Sequence, residues 1–204
     1  MKRLLYFLPV ILIISSCNLN SLIDEMRGKN DDKAAMVQHS VNHLYSLQVP
    51  EFLDSMPELN DVASFQYGNA LKELYCIVID EEKEAVLSAF EISPADMAQN
   101  DTTLLEHYAT VTISNYITSL KEARQERIRY VQKDSYKYLL HDIYGKINNN
   151  GAYMKYVTIE SRDHVFQLLV WTLDKYKAKY SPVMDKVIES FKVMEPVEEE
   201  VPGT

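Results

Sequence analysis

The sequence is poor in cysteine and glycine, and this excludes several kinds of stabilisation and of catalysis. It has two cysteines and five glycines in 204 residues, and each glycine stands alone. No glycine-rich loop is therefore available to surround a phosphate, and no Gly-x-Ser-x-Gly turn holds a serine nucleophile. We expect a protein that is not an enzyme and that has no cofactor and no metal site.

Positive charge is also scarce. Lysine and arginine number 21 against 30 aspartates and glutamates, so the formal net charge is −9. Nucleic acids repel such a chain, because much of their affinity for proteins comes from phosphate contacts with lysine and arginine. The composition therefore excludes nucleic acid as the expected partner and opposes direct binding to anionic lipid head groups.

The apolar run at the N-terminus is too short to span a bilayer. Two basic residues precede an apolar stretch over residues 4–14, whereas a membrane-spanning helix needs roughly 20 residues. The stretch ends in Ile-Ser-Ser-Cys at residues 14–17, which resembles the bacterial lipobox. The resemblance implies that residues 1–16 are a signal peptide and that Cys17 carries lipid and becomes the mature N-terminus.

This interpretation predicts where the protein resides. A multiply acylated cysteine holds a protein permanently at a membrane, so the membrane is a partner through the lipid anchor alone. The first acidic residue after Cys17 is Asp24, which by resemblance to bacterial sorting signals favours the outer membrane over the inner one. We expect a cell-envelope protein that faces the periplasm. Cys76 remains as a buried, unreactive thiol without a disulfide partner.

Four segments are predicted along the chain. They are the signal peptide at 1–16, a tether at 17–43 in which residues 33–43 could form a short helix, a single domain at 44–193, and an acidic disordered tail at 194–204. Alternation of apolar and polar residues, with turn residues between the runs, predicts strands at residues 45–49, 62–67, 71–79, 128–131, 136–147, 153–160 and 164–172.

Helical spacing predicts the remaining elements. A short helix is expected over 81–90 and a longer one from Asp101 or Thr102 to Lys121. A closing helix is expected to begin after Ser181-Pro182, with the serine as its cap. The pair Gly68-Asn69 is expected to form a tight turn. Strands and helices in this proportion indicate an α+β fold.

The two ends of the domain resemble a known family. Residues 45–50, YSLQVP, form an opening strand that runs into proline, and the C-terminal part combines a hairpin with a helix that ends in Ser190-Phe191. These features are similar to those of PsbP-like domains over most of residues 44–193. The resemblance implies a central antiparallel sheet flanked by helices, an α/β/α sandwich. It also implies a binding or adaptor role, because most members of the fold are not enzymes.

Few side chains suggest a site. His39 and His43 have the spacing that places two imidazoles on one helix face, as in zinc sites, but the sequence indicates no third ligand. His141 shares a strand face with Leu139 and Ile143, where a hydrogen-bonded core histidine is expected. We name four candidate binding residues of the sheet: His141, Tyr144, Tyr153 and Tyr156.

Two functions follow as hypotheses. The first is a lipid-anchored, non-catalytic protein that binds another protein in an envelope assembly, with the tyrosines of the sheet as contacts. The second is a small-ligand binder with a pocket between sheet and helix, in which His141 or Tyr144 supplies a polar contact. A contiguous exposed surface favours the first function, and a deep pocket with a few polar groups favours the second.

Overall fold

The computed structural model describes residues 31–93, 95 and 103–194. Its strands are β1 (Met36–Val41), β2 (Tyr45–Pro50), β3 (Asp54–Ser55), β4 (Phe65–Asn69), β5 (Leu74–Glu82), β6 (Lys121–Gln132), β7 (Tyr136–Ile147), β8 (Asn150–Ser161), β9 (His164–Leu173) and β10 (Lys192–Val193). Its helices are α1 (Lys83–Ala89), α2 (Thr103–Thr118) and α3 (Lys177–Ser190). In the part of the chain that is described, these helices lack the combined length and hydropathy that crossing a membrane requires.

The strands form two antiparallel sheets. The large sheet has seven strands in the order β3-β4-β5-β9-β8-β7-β6, and the small sheet has three in the order β1-β2-β10. Helix α3 and the small sheet cover one face of the large sheet, while α1 and α2 cover the other. The predicted α+β class, with a central antiparallel sheet and helices on both sides, is confirmed.

The strands at the centre of the large sheet are apolar on both faces. Along β9, Leu168 and Val170 face α3, whereas Leu169 and Trp171 face α2, and all four are at most 1% exposed. Side chains alternate between the faces of a strand, so a continuous apolar run predicts burial on both sides. The hairpin of β8 and β9 and the bounds of β7 agree with the sequence prediction.

The Ser190-Phe191 pair joins α3 to the small sheet. The Ser190 hydroxyl accepts a hydrogen bond from the backbone N–H of Gln48 at 2.8 Å and donates one to the backbone carbonyl of Val187 at 2.7 Å. The Phe191 ring stacks on Tyr45 of β2 with the centroids 5.3 Å apart. The pair that carried the family resemblance therefore closes the core between β2 and the end of α3.

The first described residue, Asp31, is tied to the domain by three side chains. Its carboxylate accepts hydrogen bonds from Lys72 at 2.6 Å and Tyr180 at 2.8 Å, and Lys179 lies 2.7 Å away. Burial raises the pKa of this carboxyl, but the bonds from Lys179, Lys72 and Tyr180 outweigh burial and hold the pKa below its usual value. The chain therefore enters the domain at a fixed point beside the start of α3.

The prediction for residues 33–43 is wrong. Instead of a helix within a tether, residues 36–41 form strand β1, which pairs with β2 from Met36 opposite Pro50 to Val41 opposite Tyr45. The alternation of Val37, His39 and Val41 suits a strand, and pairing with β2 overrides a weak local preference. The paired structure thus begins before residue 44.

Gly68 and Asn69 do not form the predicted turn. Both residues belong to β4, and the chain turns over residues 70–73 instead. The Asn69 side chain accepts hydrogen bonds from the amides of Leu71 and Lys72 and so stabilises that turn. Gly68 is required for a different reason, because a Cβ there would lie 2.6 Å from Cδ1 of Tyr75.

Two elements begin at least five residues earlier than predicted. The closing helix begins at Lys177, so Pro182 lies inside α3 and removes the hydrogen bond to the carbonyl of residue 178. The earlier start buries Tyr180 completely, and this apolar contact offsets the lost bond. Strand β6 spans twelve residues instead of the four predicted at 128–131, because backbone pairing with β7 does not require an apolar pattern.

We predict that Ser190→Ala lowers the free energy of unfolding by about 1–2 kcal/mol, because the Gln48 amide loses its acceptor. Urea denaturation followed by circular dichroism measures the change. Ser88→Ala in α1, where the serine is exposed, is the matched control and is expected to have little effect. Equal effects of the two substitutions would contradict the role assigned to Ser190.

Candidate functional site

A groove lies where strand β1 of the small sheet runs beside β4 of the large sheet. Its volume is about 420 Å³ and it is open to solvent. One wall consists of residues 39–42 in β1 and its turn, and the other comes from the β3–β4 region. The lining residues are His39, Ser40, Val41, Asn42, Ser55, Pro57, Ala63, Ser64, Phe65, Gln66 and Tyr67.

Hydrogen bonds fix the loop that forms the second wall. The Gln66 side-chain oxygen accepts a hydrogen bond from the backbone N–H of Asn60 at 2.7 Å. The backbone carbonyl of Gln66 accepts one from the backbone N–H of Met56 at 3.0 Å. The Asn60 side chain in turn accepts from the Val62 amide at 2.9 Å. Because these bonds hold the loop against β4, the groove is formed before any ligand binds.

Three rings form the apolar part of the groove. The Phe65 and Tyr67 rings are stacked with centroids 4.4 Å apart, and the His39 ring lies 4.6 Å from Tyr67. Burial lowers the pKa of His39, so its imidazole is neutral at pH 7. A neutral imidazole stacks on a ring while it still donates one hydrogen bond and accepts another.

The β1 wall presents the edge of a strand. Three consecutive strand residues, 39–41, line the groove although alternate side chains of a strand point in opposite directions. Among the described strands, β1 pairs with β2 alone. The Glu51 amide donates to the Ala35 carbonyl, so Ala35, Val37 and His39 belong to hydrogen-bonded pairs with β2. Such pairs alternate, and the backbone N–H and C=O of Ser40 therefore point away from β2.

The groove offers hydrogen bonds and stacking without charge. Of the lining residues that the structure describes, none is an acid, a lysine or an arginine. The Ser64 hydroxyl is engaged, because it lies 2.8 Å from the Tyr45 hydroxyl and donates to the Val78 carbonyl at 3.4 Å. Such a lining suits recognition of an uncharged polar or aromatic group.

The four sequence-predicted binding residues lie elsewhere, and the sheet separates them. Tyr144 and Tyr153 are neighbours on the α3 face, whereas His141 and Tyr156 are neighbours on the α2 face. All four are at most 5% exposed. The structure therefore brings them together in two pairs, and neither pair lines the groove.

Tyr144 is packed among cations. The Arg124 guanidinium lies 4.2 Å from the centre of its ring, and the Lys177 ammonium lies 4.7 Å from it and donates to its hydroxyl. The neighbouring Tyr153 hydroxyl donates to Asp142 at 3.2 Å. Contacts of this kind stabilise an interior with aromatic rings, and they leave the two hydroxyls already engaged.

Tyr156 belongs to a buried chain of hydrogen bonds on the α2 face. The Tyr156 hydroxyl donates a hydrogen bond to the side-chain oxygen of Gln167. The side-chain nitrogen of Gln167 in turn donates to the Tyr108 hydroxyl at 2.8 Å. Tyr108 completes the chain by donating to Glu81. The chain links α2 to β5, β8 and β9, so Tyr156 has a structural role.

His141 is the exception among the four. Its Nδ1 accepts a hydrogen bond from the side-chain amide of Gln125 at 2.6 Å, so the ring carries its proton on Nε2. Within the described residues, Nε2 has no partner, and neither has the Thr158 hydroxyl on the same face of the sheet. Burial lowers the pKa of His141 to about 4. The expected core histidine is therefore found, but it is satisfied on one side alone.

The remaining sequence predictions concern the two histidines, the two cysteines and the tail. His39 lies in β1 and His43 in the following turn, so they do not share a helix face. The described part of the chain contains no group of three or more His, Cys, Asp or Glu side chains placed to hold a metal ion. Cys76 is completely buried, and burial raises the pKa of its thiol. Cys17 and the predicted tail from 195 onward lie outside the described residues.

The groove was not among the sites predicted from the sequence. Its signal was the period-two spacing of Phe65 and Tyr67 on one strand and of Val37, His39 and Val41 on another. Interpreting the second run as a helix hid the contact, because a helix would not place His39 against the rings of β4.

Known proteins resemble this chain in fold but not in sequence. No protein family and no curated protein matches the sequence. The solution structure of the cyanobacterial PsbP protein, CyanoP, from Synechocystis sp. PCC 6803 matches with a TM-score of 0.53 at 12% identity, over 78% of this chain and 93% of that one.

A second solved structure, LpqN of Mycobacterium tuberculosis, matches with a TM-score of 0.50 at 13% identity, over 81% of this chain and 95% of that one. LpqN is described as involved in cell envelope biogenesis. At these identities the likeness shows a shared PsbP-like fold alone.

We predict that acid weakens the fold through His141. The pKa of this histidine is about 4 in the folded protein and about 6.5 when unfolded, so the unfolded chain alone binds a proton between these values. The contribution of neutral His141 to the free energy of unfolding is complete above pH 6.5 and is lost as the pH falls from 6.5 towards 4. The loss is on the order of 3 kcal/mol, since one pKa unit corresponds to about 1.4 kcal/mol.

Urea titrations at pH 7, 6, 5 and 4 measure this dependence. His141→Gln is expected to flatten the slope between pH 6.5 and 4.5, whereas His43→Gln, in the exposed turn, keeps the wild-type slope. An unchanged slope in His141→Gln would show that another group is responsible.

Proposed function

We propose that this protein is a lipid-anchored component of the bacterial cell envelope that binds another protein and catalyses no reaction. The groove between β1 and β4 is its binding site. The observation that carries the proposal is the combination, in one preformed groove, of stacked rings and a strand edge whose backbone groups are unpaired among the described strands. Hydrogen-bonding edges beside apolar rings are typical of surfaces that bind polypeptide.

The N-terminal sequence supports the anchor. The basic start, the short apolar stretch and the Ile-Ser-Ser-Cys ending predict lipid on Cys17. The entry point at Asp31 is consistent with this arrangement, because thirteen residues would then separate the lipidated cysteine from a fixed position on the domain. The protein would face the periplasm, with the outer membrane favoured by the absence of an acid before Asp24.

The fold supports an envelope role by analogy. LpqN, which has the same fold, is described as acting in cell envelope biogenesis. A shared fold does not transfer a function, so the proposal depends on the groove and on the N-terminal sequence, and the analogy adds support to them.

A small-ligand binder is the second candidate. Among the described residues, Nε2 of His141 and the Thr158 hydroxyl have no partner. This favours the second candidate, because buried polar atoms usually have a partner in the protein, a water molecule or a ligand. Native mass spectrometry of the protein purified from its own cells distinguishes the candidates. A retained small molecule that His141→Gln releases supports this one.

We predict that a photocrosslinking amino acid at Ser40 captures a protein partner in living cells. Ser40 is exposed and lines the groove, so the probe enters the proposed site. The expected result is one reproducible adduct, detected by immunoblotting. The same probe at Ser88 in α1 is the control and should give no such adduct. Equal adducts from both positions, or none from Ser40, would contradict binding in the groove.

We predict that Cys17→Ala abolishes lipid attachment and moves the protein from the membrane fraction to the soluble fraction. Metabolic labelling with a radioactive or alkyne fatty acid, followed by fractionation, measures both effects. Cys76→Ala is the control, because Cys76 is completely buried and labelling should persist. Labelled, membrane-bound Cys17→Ala protein would exclude the predicted anchor.

A further inference from the structure

We infer that the groove takes an extended segment of another protein, which adds to the edge of β1 as a further strand and carries positive charges beside its uncharged centre. This inference rests on the proposed function and names the class of partner that the groove recognises. The occupant is polypeptide in extended form, and three features of the groove select it.

The first feature is the strand edge itself. The N–H and C=O of Ser40 point away from β2, towards the side on which residues 39–42 line the groove. An N–H donor and a C=O acceptor on one residue of an edge match the backbone of another strand. A strand rises about 3.3 Å per residue, so the three β1 residues at 39–41 offer an edge of roughly 10 Å.

The second feature is the placement of the rings. His39 on the edge strand and Tyr67 on the opposite wall stand 4.6 Å apart, and Phe65 stacks beneath Tyr67. A strand that pairs with β1 directs every second side chain towards one face of the groove. One apolar or aromatic side chain of the segment therefore meets these rings, while its neighbours point elsewhere.

The third feature is charge. Between Lys33 and Lys72 the sequence has no lysine or arginine, and it has four acids. All four are exposed, and three of them lie at the second wall: Asp54 in β3, and Glu58 and Asp61 in the loop. Glu51 lies opposite Ala35, at the other end of β1. The lining of the groove is uncharged, so these acids would interact with residues on either side of the part of the partner that fills the groove. Lysine or arginine beside an uncharged centre is the complementary pattern.

The edge of β6 does not have these properties. This strand is also an edge of its sheet, and Ile128 is 64% exposed on it. However, its pairing with β7 is irregular at two places, between residues 121 and 124 and between 126 and 128. Lysine, arginine and glutamate recur along it. Bulges and charges of this kind prevent strand addition. The two other edge strands, β3 and β10, have two residues each, so among the described strands β1 is the long edge that remains open to a partner.

Selection of peptides tests the inference. The probe is a library of random ten-residue peptides displayed on phage, selected against the purified mature protein in detergent. We expect enriched peptides to have an uncharged alternating centre with one aromatic residue and lysine or arginine beside it. Enrichment of no peptide above background, or of helical or acidic peptides, would overturn the inference.

Two substitutions at one residue separate backbone pairing from side-chain contact. Ser40→Pro removes the N–H that faces the groove and leaves the bonds to β2 in place, whereas Ser40→Ala keeps the N–H. A selected synthetic peptide should bind Ser40→Pro about tenfold more weakly and Ser40→Ala within twofold of wild type. Equal affinities for the two variants would overturn strand addition.

Hydrogen exchange of the wild-type protein tests the same bond without a substitution. On addition of the selected peptide, exchange of the Ser40 amide should slow at least tenfold, because it gains an acceptor. The His39 amide already faces β2 and should change little. Unchanged exchange at Ser40 in the peptide complex would contradict pairing with β1, including the case in which Ser40→Pro does not fold.

Two double substitutions test the role of the acids. The double substitution Glu58→Gln with Asp61→Asn should weaken peptide binding about fivefold at low salt and less at high salt. Glu84→Gln with Asp163→Asn changes two exposed acids outside the groove and should leave affinity unchanged. Equal effects of the two pairs would remove the acids from the inference.

The outcomes also separate this inference from the proposed function. A partner captured from Ser40, without protection of the Ser40 amide, keeps the binding function and overturns strand addition. A concentration-dependent dimer of the protein that Ser40→Pro dissolves identifies a second copy as the occupant, and this also overturns the inference. Failure of Cys17 to carry lipid affects the proposed anchor alone.

Discussion

Burial of the large sheet on both faces is the constraint on which the arrangement of this protein depends. Its central strands direct apolar side chains towards both faces of the sheet, as Leu169 and Val170 show. Burying one such side chain stabilises the fold by about 1.5–3 kcal/mol. The chain covers one face with α1 and α2, and the other with α3 and a separate small sheet.

The small sheet explains the groove. Strand β2 supplies Tyr45, Leu47 and Val49 to the core, whereas β1 contributes partly buried side chains alone. The outer strand of a covering hairpin has one edge against its neighbour and one edge outward. In this protein the outward edge lies beside the rings of β4, so the element that completes the core also forms one wall of the groove.

Most polar groups buried under α1 and α2 have partners on that face of the sheet. Glu160, 3% exposed, pairs with Lys83 at 2.6 Å, and the chain from Tyr156 to Glu81 satisfies the hydroxyls of two tyrosines. Lys83 and Lys137, the latter 3.5 Å from Oε2, match the charge of Glu160, although Oε2 has no hydrogen-bond partner among the described residues. His141 differs, because it is bonded at one nitrogen and is neutral for lack of solvation.

Sequence patterns predicted the elements whose signals are local. The apolar run of β9, the bounds of β7 and the spacing of α2 follow from period and composition, and they were sufficient for the α+β class. Interpretation failed where a distant segment decides the conformation. Residues 36–41 became a strand because β2 pairs with them, and Gly68 is required by the Tyr75 ring. The candidate residues His141 and Tyr156 share a face because of strand register, which period alone does not give.

The sequence by itself determined the class of fold and the acidic character, and it supports the prediction of lipid on Cys17, because these depend on composition and on runs of neighbouring residues. Tertiary structure alone decided the covering of each face, the separation of the four candidate residues into two pairs, and the groove. The groove is built from His39 and Tyr67, which are 28 positions apart in the chain. Their contact exists because two sheets pack together, and no local pattern specifies that distance.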